Sequence, residues 1–390
     1  MKQNSVSRRR FLAAGIAGAA GALTAPALGR AQDAPGRIRT AFIGVGGRGN
    51  NLLGAALANN YVDVVSVCDL DPERAKAAAS RIEGARGTRP AEATDYRKTL
   101  EDSSIQAVVS ATPCSEHFAI YRDTIKAGRH LYGEKPMCVT VGEATELVSL
   151  AEVNPKLKVQ VGFQRRSNPR YIEGVKLIRE DKVLGELIEG RAAFNNAWGP
   201  PGGLGGKGEW QSRVAKSGDW MVEQAVHSFD VLNWVAGTTP LRAFGLGHRG
   251  VFKGFDPERD VTDYYAAIIE YPKDLTVQFS HSWIAADDPA FTGTYERFLG
   301  LQGGIDIGAG KITYSSRSGK KGDDRKRLIQ PDVTNDTRLS VNSFFDCIVN
   351  DRKPNSTVHN GRDATLVGLL VRKAVYERRA VTWDEMVRSC

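Results

Sequence analysis

Lys135 is well placed by its sequence to steady negative charge on an oxygen. It stands in GEKP, Gly133 to Pro136, directly after a short apolar run. A lysine at the carboxyl end of a parallel strand lies where open α/β sheets bind ligands. Its cation can stabilise an alkoxide that forms as hydride leaves carbon. A second candidate is GDWMVEQAVHSFDVLNW, Gly218 to Trp234, where Glu223, His227 and Asp230 are three to four residues apart. On a helix these three lie along one side. An imidazole titrates near neutrality and suits proton abstraction from a hydroxyl. The third stretch is GVGGRG, in which Gly44, Gly46 and Gly49 satisfy G-x-G-x-x-G. Gly44 permits a tight turn, Gly46 lets the backbone approach a pyrophosphate, and Gly49 allows close helix–strand packing. Asp69 falls 20 residues after Gly49, where a carboxylate can accept hydrogen bonds from ribose hydroxyls. The turn (Gly44, Gly46, Gly47, Arg48, Gly49) and Asp69 are therefore assigned to a dinucleotide. The charge of Asp69 opposes a 2′-phosphate and favours NAD over NADP. Arg74 lies nearby, either as a phosphate partner or on an exposed helix face. No metal is expected, because one helical stripe without a second contributing segment seldom completes a coordination shell.

Positioning these groups requires alternating strands and helices. Ile38 to Val45, Val62 to Cys68, Ile105 to Ser110, His130 to Tyr132 and Lys158 to Val161 read as strands. Helical segments near Asn51 to Asn59, Phe118 to Ala127 and Val141 to Ala151 separate several of them. That rhythm predicts an α/β fold with a parallel sheet covered on both faces, a Rossmann domain over residues 38–160. Residues 161–390 form the second domain. In it Tyr264 to Tyr271, Leu275 to His281, Tyr295 to Gly300 and Ile305 to Ile307 read as strands. Val341, Phe344, Phe345, Ile348 and Val349 mark an amphipathic helix, and a last apolar helix runs from Ala364 to Ala374.

Two further motifs, ATPCSEH with Thr112, Pro113 and His117, and GEKP with Glu134, Lys135 and Pro136, join GVGGRG. Together they resemble the glucose–fructose oxidoreductase / inositol dehydrogenase (Gfo/Idh/MocA) family over nearly the whole chain from Ile38 onward. The resemblance implies an open, mostly antiparallel sheet with helices on one side in the second domain. It implies that Lys135 lies beside the nicotinamide and a substrate hydroxyl, with Pro136 after a cis peptide bond. Thr112, Pro113, His117 and Glu134 fall to the cofactor, although His117 also fits a packing role. His227 becomes the general base, and Glu223 stands where the family carries Asp, one methylene longer. Arg165, in QRRSNPRY, and Asp230 are candidates for orienting a polyol. The Gly- and Pro-rich segment from Asn195 to Trp210 reads either as a lid, with Trp198 or Trp210 stacking on a sugar face, or as a long surface connection.

The chain has 390 residues, 41% hydrophobic and 25% charged, with a formal charge of +8. This is a globular composition. Lys2, Arg8, Arg9, Arg10 and Arg30 lie in the first 31 positions, which hold no acid. The remainder is nearly balanced, so no nucleic-acid partner is expected. SRRRFL followed by an Ala- and Gly-rich apolar run reads as a twin-arginine signal over residues 1–31, cleaved after Ala27 or Ala31. A periplasmic or otherwise extracytoplasmic protein is expected, anchored only if the signal is retained. Five cysteines without a Cys-x-x-Cys pair argue against a disulfide framework.

The expected activity is oxidation of a secondary hydroxyl on a sugar, sugar derivative or cyclitol, with NAD held tightly, in a homo-oligomer exported by the twin-arginine machinery. Two alternatives are weighed. One is NAD-dependent glycoside cleavage through a transient keto-sugar, although the Tyr-Pro-Thr-His segment of a related glycosidase group is absent. The other is a non-catalytic sugar or NAD binder.

Overall fold

The strand IRTAFI, Ile38–Ile43 (β1), ends on the glycine turn, and the helix Gly47–Leu57 (α1) begins within that turn. The sequence placed this helix four residues later; Gly46 is its N-cap, so its first N–H groups lie inside GVGGRG. The computed structural model describes residues 36–199, 210–329 and 335–388, and residues 1–31, read above as a signal, lie outside them. Strands Val62–Cys68 (β2), Ala91–Ala93 (β3), Ala107–Ser110 (β4), His130–Gly133 (β5) and Val159–Val161 (β6) complete a six-stranded sheet, ordered β3-β2-β1-β4-β5-β6. Every pairing in it is parallel. Its connecting helices are Pro72–Arg86 (α2), Tyr96–Glu101 (α3), Cys114–Lys126 (α4) and Val141–Glu152 (α5). The order reverses between β1 and β4, the crevice where ligands bind in such sheets.

The second sheet has nine strands. They are Leu187–Ala197 (β7), Arg242–His248 (β8), Tyr264–Glu270 (β9), Thr276–Ala285 (β10), Gly293–Gly300 (β11), Gly303–Asp306 (β12), Lys311–Tyr314 (β13), Lys326–Leu328 (β14) and Val381–Thr382 (β15). Their order is β14-β13-β12-β11-β7-β10-β9-β8-β15, and only β7 and β10 pair in parallel. Helices Pro169–Arg179 (α6), Val214–Ser217 (α7), Trp220–Glu223 (α8), Val226–Ala236 (α9), Asp336–Val349 (α10), Val358–Glu377 (α11) and Trp383–Val387 (α12) complete the body.

One buried cluster draws residues from both sheets, and a second joins the helix α10 to the Rossmann sheet. Val341, Phe344 and Phe345 of α10 pack with Phe42, Val67, Val109 and Tyr132 of the Rossmann strands. Tyr132 meets Phe344 edge-on at 5.8 Å. Gln160 of β6 donates to the Ser340 carbonyl at 2.9 Å. A helix from the C-terminal third therefore completes the N-terminal core, and Arg37–Cys390 forms one compact body. Helix α11 packs against α5, α9, β8 and β6, and so touches both sheets.

Candidate active site

The carboxyl ends of three adjacent strands, β1, β4 and β5, carry the three motifs to one edge. Gly44 turns with φ +80°, and a Cβ there would lie 2.6 Å from the Ala111 carbonyl oxygen. A Cβ on Gly49 would lie 1.9 Å from the Gly44 oxygen. These two glycines allow β1, β4 and α1 to approach. Gly47 faces open space within 4 Å, and Gly46 meets only the Arg74 guanidinium at 3.5 Å. An open glycine face at a helix N-terminus fits a pyrophosphate. Asp69 closes the far side: its carboxylate accepts from the Val45 N–H (2.9 Å) and the Asp71 N–H (3.0 Å). Its remaining lone pairs stay available to ribose hydroxyls. Arg74 pairs with Asp71 at 3.3 Å. The Thr112 hydroxyl is buried without a partner among the described residues. These features fit a dinucleotide.

Arg48 and Glu134 are tied to each other. The Arg48 Nε donates to Glu134 Oε1 at 2.7 Å, and its Nη1 reaches the Thr337 hydroxyl at 3.0 Å. The pair thus links the glycine turn, the GEKP segment and α10. His117 is buried, with Nδ1 2.6 Å from the Pro136 oxygen and Nε2 2.8 Å from the Thr112 oxygen. Burial lowers its pKa despite both carbonyls. It braces two loops, stacked on Tyr121, rather than facing the cleft. The Lys135–Pro136 peptide is cis.

Lys135 crosses to the second part of the body. Its Nζ donates to the Glu223 main-chain oxygen (2.5 Å) and to Glu223 Oε1 (3.1 Å). Burial works against the ammonium, but the carboxylate of Glu223, with that of Glu134 nearby, outweighs it, so its pKa is raised. This contact explains a departure from the single helix read over Gly218 to Trp234. That helix is broken into α8 and α9 at Gln224 and Ala225. The His227 N–H donates to Gln224 O at 3.3 Å, leaving the Glu223 carbonyl to Lys135. The break separates Glu223 from His227 and Asp230, which stay together on α9. Asp230 is buried and held by Arg166, whose Nε lies 2.8 and 2.9 Å from its two oxygens. Asp230 lines a separate recess with Arg179 and Asn233.

His227 remains open. Its ring makes no hydrogen bond among the described residues and meets Phe163 edge-on at 6.0 Å. Burial and the positive charges of Lys135, Arg165 and Arg48 hold its pKa well below 6.5. The imidazole is therefore a neutral base. Arg165 is itself engaged: Nη1 pairs with Glu296 Oε1 at 2.5 Å, and Glu296 also accepts from Ser228 (2.7 Å) and Tyr171 (3.0 Å). Trp198 is 52% exposed at the end of β7 and packs on Phe252 and Phe255. The rest of its loop, residues 200–209, lies outside the described residues. Sequence reasoning missed Glu296, Thr337 and the polar group around Gln224; only Gln224 carried a signal, its place inside EQAVH.

A parallel dinucleotide sheet, with a lysine at its edge facing a histidine from a second, mostly antiparallel sheet, defines a two-part nucleotide-dependent enzyme architecture. Residues 38–163 match the oxidoreductase family with an NAD-binding Rossmann fold, and residues 172–300 match the GFO/IDH/MocA C-terminal domain. The chain belongs to the Gfo/Idh/MocA oxidoreductase family. It is 32% identical over 166 residues to "Glycosyl hydrolase family 109 protein 2" of Akkermansia muciniphila (41% of this chain, 34% of the relative). It is 32% identical over 174 residues to "Inositol 2-dehydrogenase 4" of Saccharopolyspora erythraea (45% and 46%). The chain thus spans about a third to a half of the length of the curated relatives it matches. Scyllo-inositol dehydrogenase of Lactobacillus casei, solved with NAD(H) and scyllo-inositol, superposes with a TM-score of 0.71 at 16% identity, covering 89% of this chain and 99% of that one. Levoglucosan dehydrogenase, solved with NADH and levoglucosan, gives 0.74 at 16%, over 89% and 99%. Both share the fold.

Proposed function

We propose that this protein is an NAD-dependent oxidoreductase acting on a secondary hydroxyl of a sugar, sugar derivative or cyclitol. The observation that carries the reading is the meeting of Lys135 with the Glu223–His227 segment, which sets a cation and a neutral imidazole at one cleft. Bound NAD+ supplies the hydride acceptor. His227 takes the hydroxyl proton, and the Lys135 ammonium stabilises the oxygen as its negative charge develops. Glu223 holds Lys135 in place, and His117 braces the loop that carries it. Asp69 selects NAD over NADP.

We also infer export by the twin-arginine route, supported by SRRRFL and the small-residue cleavage sites. An exported enzyme meets no replenished NAD pool, which favours a tightly held cofactor. Homo-oligomer formation is supported by the helix-free face of the second sheet, where Phe244, Leu246 and Ile268 are 42–45% exposed.

The likeness to a family 109 glycosyl hydrolase favours one second reading, redox-neutral glycoside cleavage through a transient keto-sugar. One experiment separates the two. Purified protein is mixed with myo-inositol, scyllo-inositol, glucose, levoglucosan and nitrophenyl glycosides. Growth of absorbance at about 340 nm, the band of reduced nicotinamide, supports the dehydrogenase. Nitrophenol release without net reduction supports cleavage, and neither signal refutes both.

A further inference from the structure

We propose that Gln224 is a specificity-determining residue whose carboxamide NH2 is aimed at an oxygen acceptor of the polyol beside the reacting carbon. This rests on the proposed polyol site.

The assignment starts from a backbone carbonyl, which can only accept. Asn196 Nδ2 lies 3.3 Å from the Ser282 carbonyl oxygen, so this atom of Asn196 must be the donor. The same nitrogen lies 3.2 Å from Gln224 Oε1, which must then be the acceptor. His281 Nε2 stands 2.7 Å from that same oxygen and so must carry the ring hydrogen. Three side chains are thus fixed in orientation by one carbonyl.

His281 makes the arrangement stiff. It is fully buried, with its ring nearly parallel to those of Trp220 (7°) and Tyr265 (6°). Burial pushes its pKa down to about 3, so it stays neutral with a single hydrogen. Its Nδ1 has no partner among the described residues. Asp219 acts on Tyr265, which stacks on the His281 ring. His281 therefore cannot switch role by titrating over the working pH range.

With two donors on Oε1, the Gln224 NH2 is the unused half of the group. It has no partner among the described residues, and Gln224 is only half-buried. Gln224 lies between Glu223, which holds Lys135, and His227, whose N–H bonds to its carbonyl. A donor here selects substrates by an acceptor next to the carbon being oxidised. A site built to hydrogen-bond a substrate group discriminates against analogues lacking it.

The test measures binding by tryptophan fluorescence and turnover by NAD+ reduction. The probes are myo-inositol, scyllo-inositol and levoglucosan, with monodeoxy and deoxyfluoro analogues of whichever binds best. Gln224→Met is expected to weaken the parent polyol by about tenfold, the loss of one hydrogen bond. It should also erase the penalty that wild type shows for one monodeoxy analogue, and leave NAD+ affinity unchanged. His281→Phe, which releases the carboxamide without facing the polyol, should give a smaller rise in KM with kcat little altered. If Gln224→Met does not fold, Gln224→Glu keeps both donors bonded. Its carboxylate has no hydrogen to give and should reject the deoxyfluoro analogue that wild type binds. An unchanged parent Kd in Gln224→Met, or equal losses for every analogue, overturns the proposal. Wild type that binds a polyol without reducing NAD+ contradicts the dehydrogenase reading, while the binding comparison still decides the role of Gln224. Wild type that binds none overturns both.

Discussion

Lys135 Nζ donates to the main-chain oxygen of Glu223, an acceptor that an unbroken helix would have given to the His227 amide. The contact spans 88 residues of sequence. It ties the Rossmann edge to the segment carrying the base and leaves the His227 ring free. The order α8, break, α9 is thus part of how the site is assembled.

His227 should be neutral well below pH 6.5, because burial and three nearby cations oppose its charging. A base works only when unprotonated, so kcat/KM should hold as pH falls through 6.5 and decline only in more acid solution. Lys135→Met removes a charge that opposes protonation and should raise the His227 pKa toward 6.5. Nitrogen-15 NMR of labelled imidazoles follows both proteins; wild-type titration at 6.5 or above contradicts the electrostatic picture.

NAD should bind more tightly than NADP. Asp69→Ser removes both the repulsion of a 2′-phosphate and the ribose hydrogen bonds, about 1–3 kcal/mol in all, and should narrow the preference. Equal wild-type Kd values for the two cofactors would show that Asp69 does not set it.

Gly49 and Gly47 should respond differently to alanine. A Cβ at Gly49 would overlap the Gly44 oxygen at 1.9 Å, while Gly47 has nothing within 4 Å. Gly49→Ala should therefore lower stability by about 1–3 kcal/mol or more and abolish cofactor binding. Gly47→Ala should keep the melting temperature, and a lower one would place that Cβ in a filled space.

The mature protein should begin at Leu28 or Gln32. N-terminal sequencing from a native extract decides this, and Met1 on a soluble cytoplasmic protein would refute export.

What the sequence disclosed was local. G-x-G-x-x-G, Asp69 and GEKP act through spacing along the chain, and each stands at the end of the strand expected for it. What stayed hidden was set by distant partners. Arg48 reads as a loop arginine until Glu134, 86 residues away, claims it. The break after Glu223 leaves a carbonyl for Lys135, and Asp230 pairs with Arg166, 64 residues away. Glu296, buried beside Arg165, sits in a strand whose pattern gives no sign of a partner. Strand β7 was missed because LIEGRAAFNNA, with Gly190 inside it, alternates weakly.

The central claim is that His227 takes the proton while Lys135 steadies the oxygen. It is tested most directly by single-turnover reduction of bound NAD+ with an identified polyol. His227→Ala and Lys135→Ala should each keep fold and NAD+ affinity but slow the step by about two to four orders of magnitude. The double variant should be little slower than the worse single one, since groups acting as a unit are not additive. A His227→Ala protein that reduces NAD+ at the wild-type rate would contradict the account.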